Sequence, residues 1–494
     1  MPRYGLALKG LVTVDVQREV EVKLAVPDDF VLPDLVDIPA VGSVEARVLR
    51  LRATYWDSTD LRLARGGVTL RHRSGEGPPR WTLKLPVMNA VGRWELSVAG
   101  PSTRVPEELH DQVRARLRGD LLGRRASMRT TRTSLLLRDA DGAELAEVVD
   151  DLVTVTGAHA CAWRELEVEQ REDPRIVELL VRRLEDAGAQ VGSQTGKAYR
   201  ALGPLSLGPP DVAPLAPVRP KDPAAALVRR RLLEAEHLLQ RHDPGVRTGT
   251  PDAVHQLRVV CRTLRSDLRT LAPWVDDDRI GQLRGDLQWL GLALGEARDL
   301  EVLRQRLRAT ARDRRRLLDV DPVDAVFAAL EVDALAAARE ALDADRYIAL
   351  LQLLHDVAAA PGLSPAAGDR CRDALPPVID KAWATLHKQS GRLGQIQPDL
   401  LWHDTRKAAK RARYAAEAAV VVLGPSPTAR RARRAQELLG EHQDAVVAAE
   451  RVTALALEHP ELAYVCGVLA EREHARAEAA RLRFLKRRRK LRLG

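Results

Sequence analysis

The sequence predicts an α+β chain of two dissimilar domains, an antiparallel β domain followed by an all-helical one. Three observations carry this. Before about residue 203, polar and apolar residues alternate with period two. After about residue 223 the period is 3.6, with alanine, leucine and arginine dominant and few glycines inside the periodic runs. Between them, the segment from Gly203 to Pro223 holds Pro204, Pro209, Pro210, Pro214, Pro217 and Pro220, too many to continue a helix or a central strand. The expected division is a β domain at 1–203, a linker at 204–223, a helical region at 224–485 and a basic tail at 486–494. A chain of 494 residues is too long for a single core.

The strands come first. Glu19-Val20-Glu21-Val22-Lys23-Leu24 and Val68-Thr69-Leu70-Arg71-His72-Arg73 alternate charge with apolar bulk. So do Arg80-Trp81-Thr82-Leu83-Lys84-Leu85, Arg93-Trp94-Glu95-Leu96 and Arg164-Glu165-Leu166-Glu167-Val168-Glu169. Asp173 to Gly188 reads as one amphipathic helix, with Ile176, Leu179, Leu180, Leu184 and Ala187 on a face. In each strand the charges share one face. A one-sided sheet with its polar face in water gives that pattern. The clustering by sign suggests more: Arg71, Arg73, Lys84 and Arg93 form basic rows, and Glu165, Glu167 and Glu169 an acidic one. A closed barrel turning these faces inward offers basic walls for phosphate and an acidic corner for a hard divalent cation. Gly192-Ser193-Gln194-Thr195-Gly196-Lys197 is not a phosphate loop, because Val191 stands where its first glycine belongs and Ala198 where it needs Ser or Thr.

The helical half repeats itself. His255, Arg258, Arg262 and Arg265 stand at offsets 0, 3, 7 and 10, and His403, Arg406, Lys410 and Arg413 at the same offsets. Downstream, Leu294-Gly295-Glu296 with Asp299 matches Leu439-Gly440-Glu441 with Asp444. The copies lie 148 and 145 residues apart, which reads as a duplicated helical bundle. The offsets place each set on one stripe, extended by Arg269 in the first copy and flanked by Lys407 and Arg411 in the second. A solvated face is the ordinary explanation for arginines on a helix. Like charges at this spacing repel, however, and acidic residues are not interspersed. Two copies of the stripe point to anion binding.

Composition agrees. Net charge is +9; residues 1–210 hold 30 basic and 30 acidic side chains, so the excess lies wholly in the second half. Arg483, Lys486, Arg487, Arg488, Arg489, Lys490 and Arg492 end the chain without an acidic neighbour. Aromatic content of 3% leaves few platforms for stacked bases, which counts against sequence-specific nucleic-acid binding. Cys161, Cys261, Cys371 and Cys466 are widely spaced and read as single thiols in a reducing compartment. With no signal-peptide pattern and no long apolar run, the expectation is a soluble, cytoplasmic protein.

The Glu19-x-Glu21-x-Lys23 triplet opening this mixed-charge region resembles the signature of the CYTH, or triphosphate tunnel, superfamily. Further pieces follow in that family's order: Tyr55-Trp56-Asp57-Ser58-Thr59-Asp60, Arg71-x-Arg73, Lys84, Arg93-x-Glu95, an arginine near Arg132, an acid near Asp150, Glu165-x-Glu167-x-Glu169, and Gly196-Lys197 with Arg200. Arg129 competes with Arg132, and Glu147 and Asp151 with Asp150. The resemblance spans most of residues 15–203. It implies an eight-stranded antiparallel tunnel that hydrolyses inorganic or thiamine triphosphate, or cyclises ATP. It further implies that Glu19, Glu21, Glu165 and Glu167 hold Mg²⁺ or Mn²⁺. Lys23, Arg71, Arg73, Lys84, Arg93, Arg132, Lys197 and Arg200 would bind phosphate, with Lys23 and Asp150 grouped with the catalytic carboxylates. Val254-His255-Gln256-Leu257-Arg258, Trp402-His403-Asp404-Thr405-Arg406-Lys407-Ala408-Ala409-Lys410-Arg411 and Leu439-Gly440-Glu441-His442-Gln443-Asp444 resemble the CHAD family over about residues 221–485. That resemblance implies two pseudo-symmetric four-helix bundles around a basic pore for inorganic polyphosphate. The pore would be lined by His255, Arg258, Arg262, Arg265, Arg269, His403, Arg406, Lys407, Lys410 and Arg413. The first copy departs from the pattern at Val259 and Ala297, where the second has Lys407 and His442. The expected function is metal-dependent hydrolysis of a short triphosphate, localised on polyphosphate and its granules by the helical domain. A non-catalytic polyphosphate binder is the alternative.

Overall fold

The structure, a computed structural model, describes residues 12–15, 21–27, 29–86, 93–157, 159–171, 174–192, 196–312 and 318–493. The chain forms two compact units, 1–213 and 214–494.

The first unit is built on one sheet of ten strands: β1 (Val12–Asp15), β2 (Glu21–Ala25), β3 (Ser43–Asp57), β4 (Thr69–Ser74), β5 (Arg80–Pro86), β6 (Arg93–Ala99), β7 (Gly123–Arg138), β8 (Glu144–Thr156), β9 (Cys161–Gln170) and β10 (Gln190–Val191). All neighbours are antiparallel, in the order β1-β6-β5-β4-β3-β7-β8-β9-β2-β10. The eight strands β2–β9 are the tunnel-like sheet expected; β1 and the two-residue β10 are short additions at its two ends. The order forces the sheet to curl. In a flat sheet β1 and β2 would lie eight strand spacings apart, about 38 Å. Only six Cα steps join Asp15 to Glu21, a reach of about 21 Å.

Period two decides which side is which. Leu24, Leu137, Val148, Leu166 and Val168 point outward and pack on Ile176, Val177, Leu180 and Leu184 of α3 (Pro174–Asp186). On the other flank Leu70, Trp81, Leu83, Leu96 and Val98 pack outward on Leu109, Val113 and Leu117 of α2 (Glu107–Leu117). The alternate residues, which include most of the charged ones, are turned to the concave face. One end of that face is filled. Ala198, Ala201 and Leu202 of α4 (Lys197–Leu202) pack against Tyr55, Met128, Val153 and Trp163, all on the inward row of their strands. Near the turn after β3, Asp57 accepts from the backbone N–H groups of Ser58, Leu63 and Ala64, fixing α1 (Arg62–Arg65). The segment expected as a proline-rich linker is partly packed: Ser206 donates to Gly203 O at 2.7 Å, and Arg65 donates to Pro209 O at 2.7 Å.

The second unit contains α5 (Ala224–Thr248), α6 (Ala253–Thr270), α7 (Arg279–Ala293), α8 (Gly295–Ala311), α9 (Asp321–Asp343), α10 (Asp345–Ala359), α11 (Cys371–Gly391), α12 (Asp399–Leu423), α13 (Pro427–Glu458) and α14 (Ala463–Arg488). The duplication is visible in the element order. The first copy runs α5, α6, the nearly continuous α7–α8, and α9; the second runs α11, α12, α13 and α14; α10 stands between them. One core joins the copies, with Leu300, Leu303, Leu307 and Phe327 packed among Val452, Leu455, Cys466 and Leu469. Two ion pairs relate the copies by a pseudo-two-fold. Glu296 pairs with Arg451 at 2.9 Å through both carboxylate oxygens, and Glu441 pairs with Arg306 at 3.0 Å. Each arginine stands ten residues after its own copy's glutamate and reaches the glutamate of the other, as in an isologous interface.

The expectation of a separate basic tail at 486–494 is corrected. Helix α14 runs on through Arg488, and Leu491 and Leu493 are buried with Phe484 against Trp402 and Leu386. Arg488 donates to the carbonyls of Leu393 (2.8 Å) and Ser390 (3.4 Å). Alternating leucines among the cations, invisible to a charge count, hold this end down.

Candidate functional site

The inward row of β9 carries Trp163, Glu165, Glu167 and Glu169. Register sets what faces it. On β8, Val153, Asp151, Val149 and Glu147 stand opposite them in that order; on β2, Ala25, Lys23 and Glu21 stand opposite Glu165, Glu167 and Glu169. Arg132 of β7 is in register with Asp151. A compact cluster results. Arg132 grips Asp151 in a fork, Nε to Oδ1 at 2.9 Å and Nη2 to Oδ2 at 2.7 Å, and extends to Glu167 at 3.5 Å. Lys197, carried down by α4, places Nζ at 2.6 Å from Asp151, 2.9 Å from Glu167 and 3.0 Å from Glu165. Lys23 reaches Glu167 at 3.7 Å. Glu165 also accepts from Trp163 Nε1 at 2.8 Å and from Arg200 at 3.2 Å, while the Arg200 guanidinium lies 4.0 Å above the Trp163 ring.

The charges follow from this crowding. Burial would push the Asp151 carboxyl up, but the Arg132 fork and Lys197 hold it below its ordinary value. Burial likewise opposes the Lys197 charge and is outweighed by Glu167, Asp151 and Glu165, which hold the ammonium protonated. Glu169 is pushed up by burial and by neighbouring Glu147.

Farther round the sheet the inward rows turn basic. Arg71 and Arg73 of β4 face Thr82 and Arg80 of β5, and Lys84 faces Glu95 of β6 with an ion pair of 3.1 Å. Burial, then the Arg71 charge, lowers the Arg73 pKa, with Arg132 adding to the effect. The Arg71 Nε is buried without a hydrogen-bond partner. These two half-buried guanidinium groups repel one another, and Arg73 is paired with Glu76 at 3.0 Å.

The expected residues therefore divide. Lys23, Glu165, Glu167, Arg132, Lys197 and Arg200 come together, while Arg71, Arg73 and Lys84 line the same face. Asp150 does not join them. It lies on the outward row, held by Arg164 at 3.0 and 2.8 Å beside Phe30, and Asp151 takes the inward position. Arg129 is exposed, which leaves Arg132 as the inward arginine. Glu147 is inward and bound to Ser134 at 2.6 Å and to Arg171. Glu19 lies outside the described residues. Glu21 and Arg93 are placed by backbone register only, opposite Glu169 and Pro86.

Among the described residues, no group of three or more His, Cys, Asp or Glu is arranged to hold a metal. The donor chemistry nevertheless suits one. Glu165 and Glu167 are adjacent inward carboxylates, Glu21 is on the neighbouring strand, and hard oxygen donors favour Mg²⁺ or Mn²⁺. Lys197 Nζ lies between Asp151, Glu165 and Glu167 as the local cation.

In the second unit α6 and α12 bring the two stripes face to face. Lys410 feels Arg406, Arg262 and Arg258 together; burial first, and then these charges, lower its pKa to about 8. Arg406 is lowered by burial and by Arg262, and its Nε is buried without a hydrogen-bond partner. Burial and the Arg298 charge lower His255. Arg265 and Arg413 are each held by a glutamine of the following helix, Gln288 at 2.8 Å and Gln436 at 2.5 Å. Arg269 is exposed and stands close enough to Arg265 to lower its pKa. His403 bonds Gln443 at 2.8 Å. Lys407 stands apart, exposed and paired with Asp404 at 3.4 Å. His442 is buried against Trp402 and accepts from Arg481 Nε at 2.9 Å, so it braces the helices. Sequence reasoning missed Asp299 and Asp444 as stripe partners. Arg258 binds Asp299 at 2.5 Å, and Arg406 approaches Asp444 at 3.6 Å.

Comparisons with known proteins agree with this division. A CYTH domain model matches residues 17–199, and a CHAD domain model matches residues 230–453. The uncharacterized protein Rv2226 of Mycobacterium tuberculosis (strain ATCC 25618 / H37Rv) is 32% identical over 506 residues, covering 94% of both chains. Among solved structures, PptA from Streptomyces chartreusis is 25% identical, with a TM-score of 0.46 over 53% of this chain and 96% of that one. The CHAD domain from the plant Ricinus communis is 24% identical, with a TM-score of 0.47 over 56% of this chain and 95% of that one. The CYTH family includes triphosphatases and cyclases that generally use divalent metals, and the two domains are associated with triphosphate and polyphosphate. Among the described residues no helix is long and apolar enough to cross a membrane. With both domain types matched in order and a relative similar along nearly its whole length, the chain belongs to the family of proteins that join a CYTH domain to a CHAD domain.

Proposed function

We propose that the first unit hydrolyses inorganic triphosphate or short polyphosphate with a divalent metal, and that the second binds inorganic polyphosphate and keeps the enzyme on it. The observation that carries this reading is the inward face of the sheet, where an acidic cluster sits beside rows of half-buried cations, Arg71, Arg73 and Lys84. Arg71, Arg73 and Lys84 would bind phosphate oxygens on one wall, and Lys23, Arg132 and Lys197 on the other. A metal held by Glu165 and Glu167, with Glu21 and Glu19, would polarise the phosphoryl group and activate water. Arg132, fixed by Asp151, presents a positioned positive charge to the transferring phosphoryl group. Filling of one end of the face by α4 keeps water from that side. The test is phosphate release from tripolyphosphate by the full chain with and without Mn²⁺. Metal-dependent release that is lost in Glu165→Gln/Glu167→Gln is expected, and equal release with and without metal overturns the reading.

One observation favours a second reading, a tunnel that binds a chain end without cutting it. Asp151, Glu165 and Glu167 are already paired with Lys197, Arg132, Lys23 and Arg200, so these three acids are neutralised without a metal. Under that reading tripolyphosphate binds tightly in EDTA and is not turned over when Mn²⁺ is added.

A further inference from the structure

The stripes of the helical unit are not bare. Arg258 is held by Asp299 through both carboxylate oxygens, at 2.5 and 3.4 Å, and Arg406 faces Asp444 at 3.6 Å. An isolated ion pair at a wet surface carries little meaning. Here the same pair is built twice, once in each copy. Each arginine is the +3 residue of its stripe, and each aspartate ends the same Leu-Gly-Glu-x-x-Asp sequence on the next copy-equivalent helix. Both aspartates are about half exposed and Arg258 and Arg406 are partly so, which leaves the pairs accessible to a competing anion. Both acids are also within electrostatic range of Arg406, and Asp444 of Lys410. Two carboxylates thus sit among the four cations Arg258, Arg262, Arg406 and Lys410.

We infer that Asp299 and Asp444 are resident anions that a ligand must displace, and that this internal competition makes the helical unit select long polyphosphate chains over short phosphates. The inference rests on the proposed polyphosphate binding by the stripes. A short anion that reaches Arg258 or Arg406 has to break an arginine–aspartate pair to do so, and few further contacts repay it. A long chain meets both stripes at once, and every contact after the first is made at high effective concentration. Displacing both carboxylates then costs a small share of the total. The acids are a threshold, not a binding site.

The test is a competition measurement on the full chain carrying Arg71→Ala/Arg73→Ala, which weakens phosphate binding in the tunnel, in EDTA to suppress metal-dependent cleavage. Labelled long-chain polyphosphate is bound, then displaced by orthophosphate, tripolyphosphate or unlabelled long chain. In the parent protein, short competitors should act poorly per phosphate. In Asp299→Asn/Asp444→Asn, tripolyphosphate should compete about tenfold better while the long chain changes by less, so the preference for length falls. An unchanged preference, or weaker binding of every competitor, overturns the inference. Since asparagine keeps the shape of aspartate, and each single variant is measured beside the double, a fold defect in one is recognised by its circular dichroism and the other decides. Arg262→Ala/Lys410→Ala separates the two levels. If it leaves labelled-chain binding intact, the polyphosphate reading of the stripes is itself wrong. If it abolishes binding and the aspartate variants change nothing, only the threshold is wrong.

Discussion

Lys410 shows what burying like charges does at a single position. Its pKa of about 8 means that the free protein loses this proton just above neutrality. A bound polyanion favours the charged form and raises the pKa, so binding takes up a proton where the free lysine is neutral. The sign is fixed. Affinity for long polyphosphate should change little between pH 7 and 8 and fall above it, by at most about tenfold per pH unit. Lys410→Arg should flatten the profile, because arginine stays protonated there, and isothermal titration across pH 7–9.5 reads both. In the tunnel, the adjacent acids Asp150 and Asp151 separate two roles that the sequence could not. Asp150→Asn should leave triphosphate hydrolysis near its parent rate. Arg132→Ala leaves the fully buried Asp151 without its fork and should cost about 3 kcal/mol of stability in urea denaturation. The parity that distinguishes the two acids comes from the register of β8 against its hairpin partners β7 and β9, and no alternation within β8 itself, where the two aspartates are consecutive, specifies it.

At the scale of elements, period two located β2, β4, β5, β6 and β9 in the sequence, because each has one face on a helix and the other on the charged interior. The same rule made their facing residues legible. α4 was not legible as a closing element: its Ala198, Ala201 and Leu202 are short and ordinary, and only their burial against Tyr55 and Trp163 reveals the role. The end of α14 was misjudged for the opposite reason, since a run of seven cations hid Leu491 and Leu493. Deleting residues 486–494 is therefore a poor probe of electrostatics. It should destabilise the helical unit by several kcal/mol, roughly the cost of truncating two buried leucines, and lower its melting temperature. Replacing only the exposed Arg489, Lys490 and Arg492 with serine should leave the melting temperature within a few degrees and reduce only the salt-sensitive part of polyanion binding.

For the whole molecule, the order of the two domains and the internal duplication were readable from motif spacing, because both copies kept a histidine–arginine stripe and a Leu-Gly-Glu motif. The crossed pairs Glu296–Arg451 and Glu441–Arg306 were missed, although the arginine ten residues after each glutamate was there to be found. They make the helical unit a covalent equivalent of a symmetric dimer. Breaking one by Arg451→Glu should lower the melting temperature, and adding Glu296→Arg should restore part of it. The two-fold also bears on what such a cleft can read. Turned end for end, it presents nearly the same arrangement of charge, so it has no means of telling the head of a threaded polymer from its tail. A nucleic-acid strand has a direction, and such a cleft would waste it. Linear polyphosphate has none: its mirror-like sequence of identical links enters the same way from either terminus, so for the binding proposed above a doubled half-site suffices.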